Sequence, residues 1–427
     1  MITLNDDCLI FSFPEVADQI RVLVEGRVKS TLPKLNLPPN REELVDTLFD
    51  YADSPGSEWY LKSHRVSDFD SCLAAAAALT HADVESALRE VVREKTGVAD
   101  SIADLTVRFQ RTLRIPDDEK TYPLPAGLGS FPLRSVDDYA ETAPDEWRKR
   151  GGVVMPMYQS EALWIGFSSR YRFAVKIATG KINSVSGEPW TDDLQCDPQN
   201  YVVAPKQPWL DGFSVGEGIV RQFVAMPLGT GYSVEEQLTG KADIGGLQLQ
   251  VYPMHAEAYS QECIAHLLPS TLHELLPQLF ASYVITAHRH PAPRMPMGLG
   301  AGGMMRQEIY KDPYNFAVWN RSQTKRCFVH LCNSMDWREI TGTNPPHPPL
   351  TAEEYKRARI PWFDYYRDDQ KPLKGSKRLA GVKSVAQLGK AQNSQPISED
   401  TPITPNLIIQ YGNTRRPGEI REFQDKQ

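Results

Sequence analysis

Polar and apolar residues alternate most plainly between Leu105 and Ile115. Leu105, Val107, Phe109, Leu113 and Ile115 are separated there by Thr106, Arg108, Gln110, Thr112 and Arg114. A period of two belongs to a strand with one buried face. Arg111 falls on the apolar phase, which predicts a bulge or a paired arginine. The period recurs at Phe173, Val175 and Ile177. Strand-like runs also cover residues 8–13, 219–226, 247–252 and 326–333, bounded by turns such as Gly229-Thr-Gly231 and Gly245-Gly246.

Helical spacing is confined to shorter stretches. Asn40 with Glu43, and Thr80 with Asp83, form capping-box signals. Val84, Ala87, Leu88, Val91 and Val92 continue the second at helical spacing until Gly97. With Ala74 to Ala78 before it, this predicts an αα-hairpin over residues 68–96. Further short helices are expected near Trp147–Gly152, over 261–280 with Pro269 and Pro277 dividing it, and after Thr351, which Glu354 caps.

The expected fold is α+β and predominantly β: a sandwich or distorted-barrel body with an inserted N-terminal helical block. Its divisions are an α/β domain over 1–150 with the insertion at about 38–97, a β-rich domain over 151–369, and an extended arm over 370–427. Within the arm, Asn406-Leu-Ile-Ile-Gln-Tyr411 is a strand that could join a neighbour's sheet, making a second copy of the chain the expected partner.

Composition narrows the function classes. Of 427 residues, 41% are hydrophobic and 24% charged, enough apolar matter for packed cores, and the 33 prolines favour short strands and rigid turns. A net charge of −7 argues against a general nucleic-acid binder. No apolar run approaches the ~20 residues that span a bilayer. The acidic start, Met1-Ile-Thr-Leu-Asn-Asp-Asp7, lacks the order of a signal peptide, and six scattered cysteines (Cys8, Cys72, Cys196, Cys263, Cys327 and Cys332) read as free, buried thiols; together these make the cytoplasm the expected compartment.

Five phrases carry a resemblance: Arg111-Thr-Leu-Arg-Ile-Pro-Asp117, Gln207-Pro-Trp-Leu-Asp-Gly212, Arg221-Gln-Phe-Val-Ala-Met-Pro-Leu-Gly229, Met297-Gly-Leu-Gly-Ala-Gly-Gly303 and Ile360-Pro-Trp-Phe-Asp364. Through them, residues 105–385 resemble a group of uncharacterised microbial proteins, some labelled integral membrane proteins. The helical block before residue 105 looks like an insertion relative to that pattern. The resemblance implies no activity, and the hydropathy opposes a membrane span.

Several motifs bear on chemistry. Gly298, Gly300 and Gly303 satisfy G-x-G-x-x-G, but prolines precede them and no long helix follows, so a flexible turn or ligand-covering lid is the better reading than a dinucleotide loop. His288 and His290 form H-x-H, which on a strand would aim both imidazoles at one divalent metal, although the acid expected just downstream is missing. Cys327, His330 and Cys332 share one strand, with Cys327 on the opposite face, so they read as core. Asp211 and Glu217 could form the carboxylate pair of a glycoside hydrolase.

Three Pro-Trp pairs, ending at Trp190, Trp209 and Trp362, offer rigid indoles. Core anchoring explains each, but Trp209 has the polar neighbours Lys206 and Asp211 and is the best candidate for an exposed sugar platform. The basic run Lys371, Lys374, Lys377, Arg378 and Lys383 reads as a solvated arm or a contact for a polyanion. Taken together, these features predict a non-catalytic binding or assembly protein whose partner is itself, a small molecule or a carbohydrate. The alternative is a hydrolase of a glycan or small polar substrate, aided by a metal.

Overall fold

The alternating segment forms the strand Asp104–Thr112, with Leu105, Val107 and Phe109 buried. Both expectations for Arg111 are met. The register against Gly127–Ser130 shifts between Gln110 and Thr112, and the Arg111 guanidinium pairs with the buried Glu161 carboxylate at 2.5 Å. Glu161 also accepts from the Tyr158 backbone N–H, so the ion pair ties the strand to the turn preceding Ala162–Ser168. A computed structural model describes residues 1–5, 7–31, 59–61, 64–66, 103–261, 296–367, 370–392, 403–405 and 407–412. The expected helices at 40–49 and 68–96, the helical stretch over 261–280, and His288 and His290 lie outside the described residues.

Two compact units are distinguished. One comprises Phe13–Asp104 and Met254–Thr286. In it the helix Pro14–Thr31 opens on a proline, whose missing N–H and fixed φ suit a first helical position, and it buries Val16, Ala17 and Ile20. The short helix Ala256–Tyr259 lies against it, and Trp59–Leu61 pairs with His64–Val66 as a hairpin.

The other unit comprises Met1–Ser12, Leu105–Pro253 and Ala287–Gln427. It is predominantly β, built on a 17-stranded sheet. The main ladder runs through Ile2–Asn5, Cys8–Ser12, Asp104–Thr112, Ala162–Ser168, Ile219–Pro227, Pro296–Arg306, Lys325–Asn333, Leu247–Pro253 and Phe173–Thr179, each hydrogen-bonded to the next. Most pairs are antiparallel, whereas Val153–Met157 runs parallel to Lys325–Asn333. Because Asp104–Thr112 pairs with Ala162–Ser168, the sheet crosses the division expected at residue 150.

Phe173–Thr179 and Leu247–Pro253 are buried at every residue, so both faces of the sheet are covered there. Lys176 shows how a polar residue is accommodated. Its ammonium donates to the Thr191 and Asp193 carbonyls at 2.5 and 2.6 Å and lies 4.6 Å from the Trp190 ring centroid. His330 is the core histidine expected. It lies between Trp147 and Phe328, with Nε2 2.9 Å from the Gly151 carbonyl oxygen, and burial lowers its pKa to about 4. Cys327 and Cys332 beside it are buried free thiols, as is Cys8, whereas Cys196 is exposed, which corrects the expectation that it is buried.

The arm is folded onto its own chain for much of its length. The Lys311 and Leu373 backbone N–H groups donate to the Lys371 and Ile309 carbonyls, the helices Lys377–Ala380 and Val385–Ala391 bury Leu379 and Val385, and Val382 is buried between them. The strand Ile408–Gly412 pairs in parallel with Trp362–Tyr366, which pairs in turn with Leu124–Pro125. Apolar side chains at 379, 382 and 385, spaced among the lysines, account for the difference from a solvated arm. Among the described residues no helix is long and apolar enough to cross a membrane.

Replacing Arg111 by Leu should leave the buried Glu161 carboxyl without its ion-pair and hydrogen-bond partner, and lower unfolding free energy by about 3–5 kcal/mol. Chemical denaturation measures this, and the Arg111→Leu/Glu161→Leu double variant should recover part of the loss.

Candidate functional site

The strand Ala162–Ser168 changes partner part-way along. Ala162 and Leu163 pair with Val224 and Phe223, whereas Ile165 and Gly166 pair with Leu210 and Trp209. At the fork Trp209 and Leu210 take the place of Ile219–Pro227 beside the second half of the strand, while the Asp211 carbonyl still accepts from the Phe223 N–H. In an antiparallel register Trp209 stands directly opposite Gly166, and Trp164 shares that face two residues earlier. The two indoles lie 6.3 Å apart, tilted by 55°, and Tyr365 extends the row at 4.7 Å from Trp209.

Glycine makes room for this row. A Cβ at Gly127 would stand 3.0 Å from Trp164 Cζ2, and one at Gly166 3.0 Å from its Cζ3, so a side chain at either would press on the indole. A cavity of about 260 Å³ results, lined by Leu124, Pro125, Ala126, Gly127, Trp164, Trp209, Asp211 and Phe363. Leu124 and Phe363 are cross-strand partners in the small sheet, which supplies the second wall.

Asp211 is the one ionisable group on this lining. Its carboxyl accepts from the Gln307 side-chain amide at 2.6 Å, while its backbone N–H donates to Gln307 Oε1. Burial pushes it up to about 7, against the lowering effect of the neighbouring Trp209 and Gln307 side chains. A carboxyl in this range can donate or accept a hydrogen bond near neutrality, a capacity an ordinary aspartate lacks.

The structure brings together only part of the residues expected to form a site. Trp209 and Asp211 meet at the cavity, and Trp209 is half-buried with its ring on the lining. Glu217 is exposed in the turn after Gly212–Gly216, so a whole five-residue strand, roughly 16 Å, separates it from Asp211. Glycoside hydrolases hold their two carboxyl groups within about 5–10 Å, and extended backbone between these two prevents that spacing.

Gly298, Gly300 and Gly303 lie inside the strand Pro296–Arg306, and none belongs to a loop. A Cβ at Gly298 would meet Leu228 and Ser233, and one at Gly300 the Tyr232 carbonyl oxygen and Val385. Gly302 and Gly303 face Gln222 together across a bulge, and a Cβ at Gly303 would stand 2.4 Å from the Pro116 carbonyl oxygen. These glycines admit close backbone neighbours in a ladder bonded along its length, which corrects the expectation of a mobile lid. Among the described residues no three His, Cys, Asp or Glu side chains gather as a metal site would require.

Trp164, Phe363 and Gly127 escape sequence reasoning. Trp164 sits in an apolar run, Ala162 to Phe167, where it reads as core, and its paired glycines are 37 residues upstream and two downstream.

Two predictions arise from these environments. Between about pH 4 and 7 the folded chain holds a proton on Asp211 that the unfolded chain releases, so stability attributable to this group is full below pH 4 and lost as pH rises through 7. Thermal melts across that range should therefore decline less in Asp211→Asn than in the parent, by an amount on the order of a few kcal/mol. Gly303→Ala should displace the Pro116 carbonyl and cost about 1–3 kcal/mol in denaturant titration.

No protein-family model, curated protein or solved structure matches this chain, so the chemistry of the cavity rests on its own residues.

Proposed function

We propose that this chain is a binding protein that takes one sugar-sized ring into the cavity between Trp164 and Trp209. The observation that carries the reading is an indole pair on a sheet face, kept open by Gly127 and Gly166, with a single polar group at Asp211. Flat apolar indoles match the C–H faces of a sugar ring, and a lone carboxyl among apolar walls fixes orientation through hydroxyl contacts. At about 260 Å³ the cavity falls below the ~300–1,000 Å³ of sites for larger ligands, which favours one ring or one unit of a longer glycan.

Binding without turnover is the better reading because the lining holds one carboxyl where hydrolysis by the usual route uses two. The hydrolase alternative has one observation in its favour: the Asp211 carboxyl sits near neutral pH, where a general acid works best.

Tryptophan fluorescence titrated with neutral mono- and oligosaccharides tests the reading. At least one sugar should shift the emission with saturation, and Trp164→Ala should weaken its binding by about tenfold or more, since aromatic stacking contributes ~1 kcal/mol or above. A full panel without response, or an unchanged affinity in Trp164→Ala, overturns it. Release of reducing sugar that disappears in Asp211→Asn would establish the hydrolase instead.

A further inference from the structure

A second cleft, sharing no lining residue with the aromatic cavity, gathers Lys374, Lys377 and Arg378 of the C-terminal basic run. It encloses about 800 Å³, and four cations reach its lining: Lys311, Lys374, Lys377 and Arg378. Three acids face them, in a chain whose net charge is −7. Two of those acids are already engaged. Glu188 pairs with Arg378 at 2.6 Å. Asp312 accepts from the Tyr201 hydroxyl at 2.5 Å, the Trp319 indole N–H at 2.7 Å and the Tyr314 backbone N–H at 2.8 Å. Asp197 remains opposite three lysine ammonium groups that make no ion pair among the described residues.

The lysines are mounted on a fixed wall. The Ser376 backbone N–H donates to the Ser214 carbonyl, and Leu373 to the Ile309 carbonyl. At Gly375, φ is +74° and a Cβ would stand 2.3 Å from the Gly216 nitrogen, so the chain between Lys374 and Lys377 lies directly on the neighbouring strand. The same lining includes the aromatic rings of Tyr314 and Phe316, with Lys206 Nζ 5.1 Å from the Tyr314 centroid and the Arg321 guanidinium 5.2 Å from that of Phe316. Uncompensated ammonium groups on a rigid backbone, sharing with aromatic rings a cleft large enough for a metabolite, match an anion attached to a flat ring.

We propose that this cleft binds an organic phosphate, with its phosphate among Lys311, Lys374 and Lys377 and its ring against Tyr314 and Phe316. Isothermal titration of the full-length chain with AMP is the test, using citrate as an anion without a ring. AMP should bind with saturation and more tightly than citrate. Lys374→Glu/Lys377→Glu should weaken AMP by at least about tenfold at constant melting temperature, whereas reversal of the exposed Lys356, outside the cleft, should leave it unchanged. The proposal is overturned if AMP gives no saturable heat at millimolar concentration, if citrate binds as tightly, or if Lys356→Glu weakens AMP as much as the double reversal does.

Discussion

Buried glutamine side chains hold the larger unit together where its strands part. Both faces of the sheet are covered over long stretches, so a backbone N–H or C=O that leaves its ladder has no water to turn to. Gln207 answers this between Trp209 and Tyr310: its amide donates to the carbonyls of Trp209 and Glu308 and its oxygen accepts from the Tyr310 N–H. Gln199 bridges Tyr201, Tyr310 and Asp312 in the same way, and Gln222 spans Leu113 and Ile115. An amide side chain carries a donor and an acceptor side by side, as a peptide group does, and can stand in for a missing strand partner.

The aromatic cavity depends on that substitution. Gln307 binds the Asp211 backbone N–H and its carboxyl, and so sets the segment that carries Trp209. The same bridging places Asp312 beneath Tyr201, where its lone pairs are taken and the lysines of the second cleft are left without it.

Local patterns in the sequence carried much of the architecture. Strands at Asp104–Thr112, Phe173–Thr179, Ile219–Pro227, Leu247–Pro253 and Lys325–Asn333 follow apolar runs that only a strand can bury. The capping box at Thr351 and Glu354 closes as its spacing demands. Glycine was the misleading residue. In Pro296–Arg306 it marks close approach of neighbouring backbone, and a string of glycines reads the same whether it frees a loop or lets a strand pack tightly. Trp209 was legible as half-exposed because polar residues surround it, whereas Trp164 was hidden by its apolar neighbours.

By itself the sequence determined the predominantly β character, the positions of the main strands and the placement of a core histidine between buried thiols, because each depends on residues a few positions apart. Only tertiary structure decided which groups meet. Asp211 faces Trp164 and Phe363 rather than Glu217, Arg111 meets Glu161 fifty residues on, and Lys311 joins Lys374 and Lys377 on the lining of one cleft. Those meetings are set by strand order and by the fork at Ala162–Ser168. Strand order is a property of the whole sheet, which no local period encodes.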